Sequence, residues 1–277
     1  MRSQAQMRSQ ALLIAALTAA LTGISGAAGV VGGALAQNNP RSNVESGGPT
    51  WEAAALYDYV RLSGGREDWR WWTLSLKRET SRGTLMGTFL RQRRFGVEEE
   101  GVRIDVWPDL WARAYGHIQT GLSPSAHVRP RGTIRAEVYQ SFGPWELSGR
   151  YSWRRYRSED VQQFGPGLGW YVGSWYLRTR TSLVPRRGTW GIAQRVGARR
   201  FYGPQSSLSH IDLEGGLGRS VELINARSEI LVTRTFFVGL RLRHFLTSHL
   251  GITASVRYSD DDVYRRTGGA LGFFGRW

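Results

Sequence analysis

His210 and Asp212 lie two apart in the stretch Ser209-His210-Ile211-Asp212. In an extended segment that spacing points an imidazole and a carboxylate into the same space, the beginning of a general acid–base pair. Ser209 then falls on the opposite face, and a hydrolytic triad needs a nucleophile within hydrogen-bond reach, which chain order does not supply. His117 and His127 have no partner nearby in sequence, and His244 and His249 flank a short turn. Asp260-Asp261-Asp262 offers oxygen ligands for Ca²⁺ but lacks the spacing and Gly of a dedicated loop. A solvated loop, or one paired with Arg265 and Arg266, is the simpler reading. Gly215-Gly216-Leu217-Gly218 resembles a phosphate loop only superficially, because no helix is expected after it. With no Cys, disulfides and Cys-bound metals are excluded. No cofactor is expected.

A second pattern runs through the whole chain. Arg135, Arg150, Arg154, Arg178, Arg180, Arg195, Arg199, Arg241, Arg243 and Arg257 all fall opposite the apolar residues of their segments. Asp58, Asp105, Glu137, Glu146, Asp212 and Glu214 share that side. Two readings stay open. Arg–carboxylate pairs would lace and partly fill an interior, since buried charges persist only when paired. Alternatively, rings of Arg would bias a pore toward anions.

The elements that must hold these residues alternate with period two from Trp51 onward. Trp72, Leu74 and Leu76 alternate with Thr73, Ser75 and Lys77; Val102, Ile104 and Val106 with Arg103 and Asp105; Leu250, Ile252, Ala254 and Val256 with Thr253, Ser255 and Arg257. About fourteen strands, between twelve and sixteen, are expected, each near the length that crosses a bilayer at a tilt. Leu62 to Asp68, Leu122 to Arg131 and Arg219 to Ser228 read as long loops. Tight turns are placed at Thr80 to Gly83, at Pro108-Asp109 and at Phe142-Gly143-Pro144. Trp69-Trp71-Trp72, Trp107 and Trp111, Trp145, Trp170-Tyr171 and Trp175-Tyr176 cluster near strand ends, as the girdles of a membrane barrel do. A soluble β protein also alternates, but charges in nearly every strand favour an all-β, closed antiparallel transmembrane barrel with lipid outside.

The start of the chain fits that destination. Arg2 and Arg8 precede an apolar run from Ala11 to Val31, and Ala34-Leu35-Ala36 offers small residues for a signal peptidase. Residues 1–36 are read as a removed signal peptide, 37–50 as a disordered periplasmic lead-in, and 51–277 as the barrel. Met7 repeats the MRSQ of Met1 and is an equal candidate for the start. The net charge of +15 and pI of 11.0 would suit nucleic acid, but not behind a signal peptide. Outer-membrane lipid and lipopolysaccharide, with the barrel-insertion machinery during biogenesis, are the expected partners. The oligomeric state is left open.

The last strand decides how such a barrel closes. Leu271, Phe273 and Trp277 form its lipid face and Arg276 its lumen rim. Closure requires pairing with Trp51 to Arg61 on one side and with Leu250 to Tyr258 on the other. Gly275 stands where an assembly-signal strand usually carries an aromatic or aliphatic residue.

Several segments, in order, carry a resemblance: Asp105-Val-Trp-Pro-Asp109, Glu137-Val-Tyr-Gln-Ser-Phe142, Trp145-Glu-Leu-Ser-Gly-Arg-Tyr151, Tyr171-Val-Gly-Ser-Trp-Tyr176 and Ala198-Arg-Arg-Phe-Tyr-Gly203. The ordered set resembles the YaiO family of outer-membrane β-barrels, from about Trp51 to the end. The resemblance implies an outer-membrane barrel and brings no reaction, ligand or catalytic residue. The expected function is therefore a non-enzymatic structural barrel or narrow passive conduit. The alternative is an outer-membrane hydrolase acting on lipid or envelope polymer.

Overall fold

Strands with two unlike sides form where apolar and polar residues alternate, because successive side chains point to opposite faces. The computed structural model describes residues 50–186, 189–204, 208–223 and 230–277. The export segment and nearly all of the lead-in lie outside them. The chain begins with β1 (Thr50–Leu62), β2 (Trp69–Thr80), β3 (Gly83–Arg94) and β4 (Val97–Trp111). It continues through β5 (Ala114–Leu122), β6 (Gly132–Phe142), β7 (Trp145–Arg155), β8 (Asp160–Val172) and β9 (Trp175–Arg186). The last strands are β10 (Thr189–Tyr202), β11 (Ser209–Leu223), β12 (Ile230–Phe245), β13 (Leu250–Asp261) and β14 (Arg265–Arg276). Each pairs antiparallel with the next and β14 returns to β1, so the fourteen strands close into a barrel. No sheet edge is left to template aggregation.

The closing seam runs from Glu52↔Arg276 to Leu62↔Arg266. Trp51 and Trp277 exchange two backbone hydrogen bonds, at 2.8 and 3.0 Å. On its other side β14 pairs with β13 from Leu250↔Gly275 to Asp260↔Arg265.

The two faces are inverted relative to a soluble protein. Leu74, Val102, Ile104, Leu213 and Val256 are exposed on the outside, and so are Leu271, Phe273 and Trp277 of the closing strand. Inside, Asp58, Asp105, His117, Glu137, Arg154 and Arg243 are buried. An apolar exterior around a polar interior is the arrangement a barrel needs in lipid.

Connections differ between the two ends. At the end that holds the described termini they are short at 81–82, 112–113, 143–144 and 173–174. At the other end, 63–68 and 123–131 are longer, while Phe95-Gly96 is a two-residue hairpin. Both of its residues have positive φ, 51° and 77°, the twist that suits a tight antiparallel return.

Three local expectations are corrected. Pro108-Asp109 is not a turn: it lies within β4 at a register shift between Asp109 and Trp111. A bulge tolerates the missing N–H of Pro108, and the chain reverses at 112–113, where Arg113 takes a φ of 62°. The loop placed at Arg219 begins later, because β11 runs on to Leu223; residues 224–229 lie outside the described ones. Third, the aromatic residues divide. Trp72, Trp111, Trp145, Trp170 and Trp175 face outward, but Trp69, Trp71, Trp107 and Tyr176 are buried inside. Each lost its place in the girdle to parity, since odd and even neighbours on one strand end cannot both face lipid.

The buried Trp69 and Trp71 form an interior apolar cluster with Val60, Leu62, Leu90 and Tyr264 at the end away from the termini. Phe95 meets Trp69 edge-on at 5.2 Å, and the Arg94 guanidinium lies 3.9 Å from the Trp69 ring centre. Cation–π contact lets this apolar plug sit in a charged interior.

Candidate functional site

The barrel interior gathers charged side chains from most of the strands. Near the termini Glu52 stands between Arg243 at 2.7 Å and Lys77 at 3.4 Å. Lys77 also holds Glu79, at 2.7 Å. Farther along β1, Asp58 is bound by Arg257. On β11, Asp212 takes Arg199 through both oxygens, at 2.5 and 3.1 Å, with Arg241 at 3.8 Å. Glu214 lies 4.0 Å from Arg195. On the far wall Glu137 is bound by Arg180, and Arg150 is its register partner on β7. Arg150 donates to Ser182 at 3.4 Å and Arg154 to Gln163 at 3.2 Å. Among the described residues Arg135, Arg150, Arg154 and Arg178 have no carboxylate within ion-pair distance. Buried nitrogens of all four lack a hydrogen-bond partner. Arg150 and Tyr176 fit because β8 turns glycines inward: a Cβ at Gly169 would strike the Tyr176 ring, and one at Gly165 would crowd Arg150.

Among the described residues no serine or threonine hydroxyl bonds the ring of His117, His210, His244 or His249. His210 is fully buried with Asp212 at 3.7 Å, while Ser209 accepts the Phe245 N–H at 3.0 Å. His117 does have a partner, which its sequence neighbourhood concealed: Asp105 lies 2.9 Å away across the β4–β5 ladder. Arg103 and Gln119, each at 2.7 Å, share that carboxylate, and Trp107 stacks on the His117 ring at 4.5 Å. This is a satisfied polar knot, with every oxygen of Asp105 occupied. His127 contributes its backbone N–H to Glu99, His244 meets the Tyr202 hydroxyl at 3.2 Å, and His249 the Arg276 carbonyl at 3.1 Å. Asp261 is bound by Arg266 at 2.9 Å and caps the N–H groups of Val263 and Tyr264. No group of three or more potential metal ligands occurs among the described residues.

The model of the YaiO membrane β-barrel domain matches residues 52–223, more than half the chain. The chain belongs to this family. It is accordingly an outer-membrane β-barrel. The match ends at Leu223, yet β12 to β14 complete the same closed sheet. No curated protein matches the sequence. Among solved structures it is similar to an anion-selective porin from Comamonas acidovorans, at 9% identity and a TM-score of 0.47, covering 83% of this chain and 98% of that one. It is also similar to Omp33 of Acinetobacter baumannii, at 8% identity and a TM-score of 0.47, covering 82% and 98%. The translocator domain of the autotransporter NalP from Neisseria meningitidis shares 13% identity at a TM-score of 0.44, covering 85% and 90%. At such similarity nothing about solutes or activity transfers.

Two interior devices of this YaiO barrel were missed by sequence reasoning. The first is a loop folded inward. Glu99, buried on β4, accepts the backbone N–H groups of His127, Val128 and Arg129 at 2.5, 2.6 and 3.0 Å, and Gln92 at 3.0 Å. Ser123, Ala126 and Val128 are buried as a result. Burial also pushes the Arg129 guanidinium down to about 10. Glu98 to Glu100 look alike in sequence, but parity with Asp105 singles out Glu99 as the inward one. The second is a tyrosine cage. Glu146 accepts hydroxyls from Tyr176 at 2.6 Å and Tyr115 at 3.0 Å, while Tyr139 stacks on Tyr115 and Tyr171 on Tyr176. Only the register across five strands brings these together.

Proposed function

We propose that this YaiO-family barrel is a non-enzymatic envelope protein, a structural barrel or narrow passive conduit whose Arg-rich lumen prefers anions. The observation that carries this reading is the wall of Arg135, Arg150, Arg154 and Arg178, which stand without a carboxylate in ion-pair range among the described residues. A fixed surplus of positive charge in a low-dielectric channel raises the local anion concentration and repels cations. The paired residues argue for narrowness, because each pair fills interior volume, and several tie together strands that are not neighbours in the sheet.

Both termini are assigned to the periplasm, supported by the short turns at their end of the barrel. Export would follow removal of residues 1–36. Exposed Arg61, Arg70, Arg155 and Arg265 at the opposite end suit the anionic groups of lipopolysaccharide. The hydrolase alternative would rest on His117 with Asp105, and would require that changing His117 or His210 abolish an activity on lipid or envelope polymer.

Planar-bilayer recording of the purified protein across a potassium chloride gradient tests the proposal. A reversal potential of the sign for chloride selectivity, moved toward zero by Arg150→Gln with Arg178→Gln, is expected. Cation selectivity in the wild type would overturn the anion preference, and absence of current would leave the structural barrel and remove the conduit.

A further inference from the structure

A small cavity of about 30 Å³ lies inside the barrel between the closing seam and β11 to β13. Its walls are unlike. Ala54, Ala270 and Gly272 present little more than backbone, and Thr73, Ser75, Thr253 and Ser255 bring hydroxyls. Facing them stand Arg241, Arg243, Arg257 and His210.

The hydrogen bonding around this space is one-sided. His210 is 0% exposed, and neither ring nitrogen makes a hydrogen bond, the Asp212 carboxylate standing 3.7 Å from Nε2. Whichever tautomer is present, one N–H is therefore left with nothing to donate to. Arg243 is 1% exposed and gives a single nitrogen to Glu52, leaving its Nε and Nη1 buried without acceptors. The Thr73 hydroxyl is likewise buried and unpartnered. Arg243 cannot swing away to find water, because its guanidinium lies 3.6 Å from the centre of the Phe274 ring and is bound to Glu52. The nearby carboxylates each already hold a cation: Asp212 holds Arg199, Glu52 holds Arg243 and Lys77, and Asp58 holds Arg257 through Oδ1, its Oδ2 making no hydrogen bond. Buried donors left unmade are costly, and native structures supply them with an acceptor.

We propose that this cavity is a binding site for a small monovalent oxyanion, of the size of a carboxylate group or nitrate. Guanidinium and imidazole N–H groups supply charge-assisted donors on one side, and the hydroxyls of Thr73, Ser75, Thr253 and Ser255 complete the shell on the other. A cavity of about 30 Å³ holds roughly two water-sized spheres, each needing about 10–15 Å³. That is the scale of a planar anion of three or four heavy atoms, and bulkier tetrahedral anions such as phosphate and sulfate should fit it less well. The site stands whether or not the barrel conducts.

Sodium formate and sodium nitrate, titrated into the detergent-solubilised protein at constant ionic strength, test this by calorimetry and by the ¹⁵N resonances of arginine Nε and histidine. Saturable binding is expected, with shifts at Arg243 and His210, and phosphate should not compete. Arg241→Gln or Thr73→Val should weaken formate binding at least tenfold; Thr73→Val is the milder change if the first misfolds. Linear, unsaturable shifts would overturn the site, leaving water as its occupant. Unchanged affinity in Thr73→Val, or equal competition by phosphate, would overturn the assignment to this cavity. Anion-selective current without saturable binding defeats this inference alone, whereas saturable binding in a non-conducting barrel defeats only the conduit.

Discussion

Replacing Glu99 by Ala should free the segment 123–131 without opening the barrel. The carboxylate takes three consecutive backbone N–H groups and the Gln92 amide, in a position only 4% exposed. Hydrogen bonds to a charged group contribute about 1.5–3 kcal/mol each. Their sum overstates the effect, because N–H groups of a released loop bind water instead. A net cost near 3 kcal/mol for the inward conformation is a reasonable central value. At about 1.4 kcal/mol per factor of ten, this is roughly two orders of magnitude in the loop's opening equilibrium. Hydrogen exchange of the 123–131 peptide, followed by mass spectrometry, should therefore accelerate about a hundredfold. The β4 and β5 peptides should keep their protection, since no ladder bond is lost. Heat-modifiable migration on gels should be unchanged for the same reason. Glu99→Gln keeps one acceptor oxygen and should fall between the two. A folded Glu99→Ala barrel whose loop exchanges at the wild-type rate would refute the reasoning, and would move the anchor to the apolar burial of Ala126 and Val128.

Other perturbations read different parts of the structure. Deleting Phe274 to Trp277 removes the Trp51–Trp277 bonds and the ring beneath Arg243, and should abolish membrane insertion in a fractionation assay; normal insertion would show that the seam closes without them. Arg257→Met leaves Asp58 buried and unpaired, at a cost of about 3–5 kcal/mol, which should appear as a lower unfolding midpoint in urea, largely restored when Asp58→Asn is added. Gly169→Leu drives a side chain into the Tyr176 ring and should cost about 1–3 kcal/mol by overpacking, seen in the same unfolding assay. The Tyr59 hydroxyl donates to Asp68 and holds its carboxyl below the usual carboxylate range. A depressed carboxylate contributes stability above its unfolded pKa and loses it as pH falls through the folded value, so the 63–68 loop should loosen as pH drops below about 4. The Leu62 amide, which donates to Asp68 at 3.2 Å, should report that step by NMR, and Asp68→Asn should abolish it.

The barrel was legible because lipid on one side and charge on the other impose a strict two-residue alternation. Val102, Ile104 and Val106 against Arg103 and Asp105 could serve no other element as well. Closure by the last strand followed from the same parity. What stayed hidden depends on register between strands. His117 finds Asp105 only because the β4–β5 ladder sets Asp105 opposite Gln119, and no local pattern encodes that offset. The tyrosine cage around Glu146 spans β5 to β9 and is invisible to any window along the chain. Trp69 and Trp107 misled for a related reason. Aromatic residues serve lipid interfaces and packed interiors alike, and composition near a strand end does not say which. The register shift just past Pro108 went unread because a proline signals a turn more often than a bulge.

The unequal filling of the interior has an electrical consequence. Guanidinium groups crowd the arc from β6 to β12, while on the seam Ala54, Ala270 and Gly272 carry no charge and β1 brings the carboxylates of Glu52 and Asp58. That placement gives the interior field a component across the barrel. A molecule with separated charges inside it would be turned by that sideways field, with its negative end toward β9 and β12.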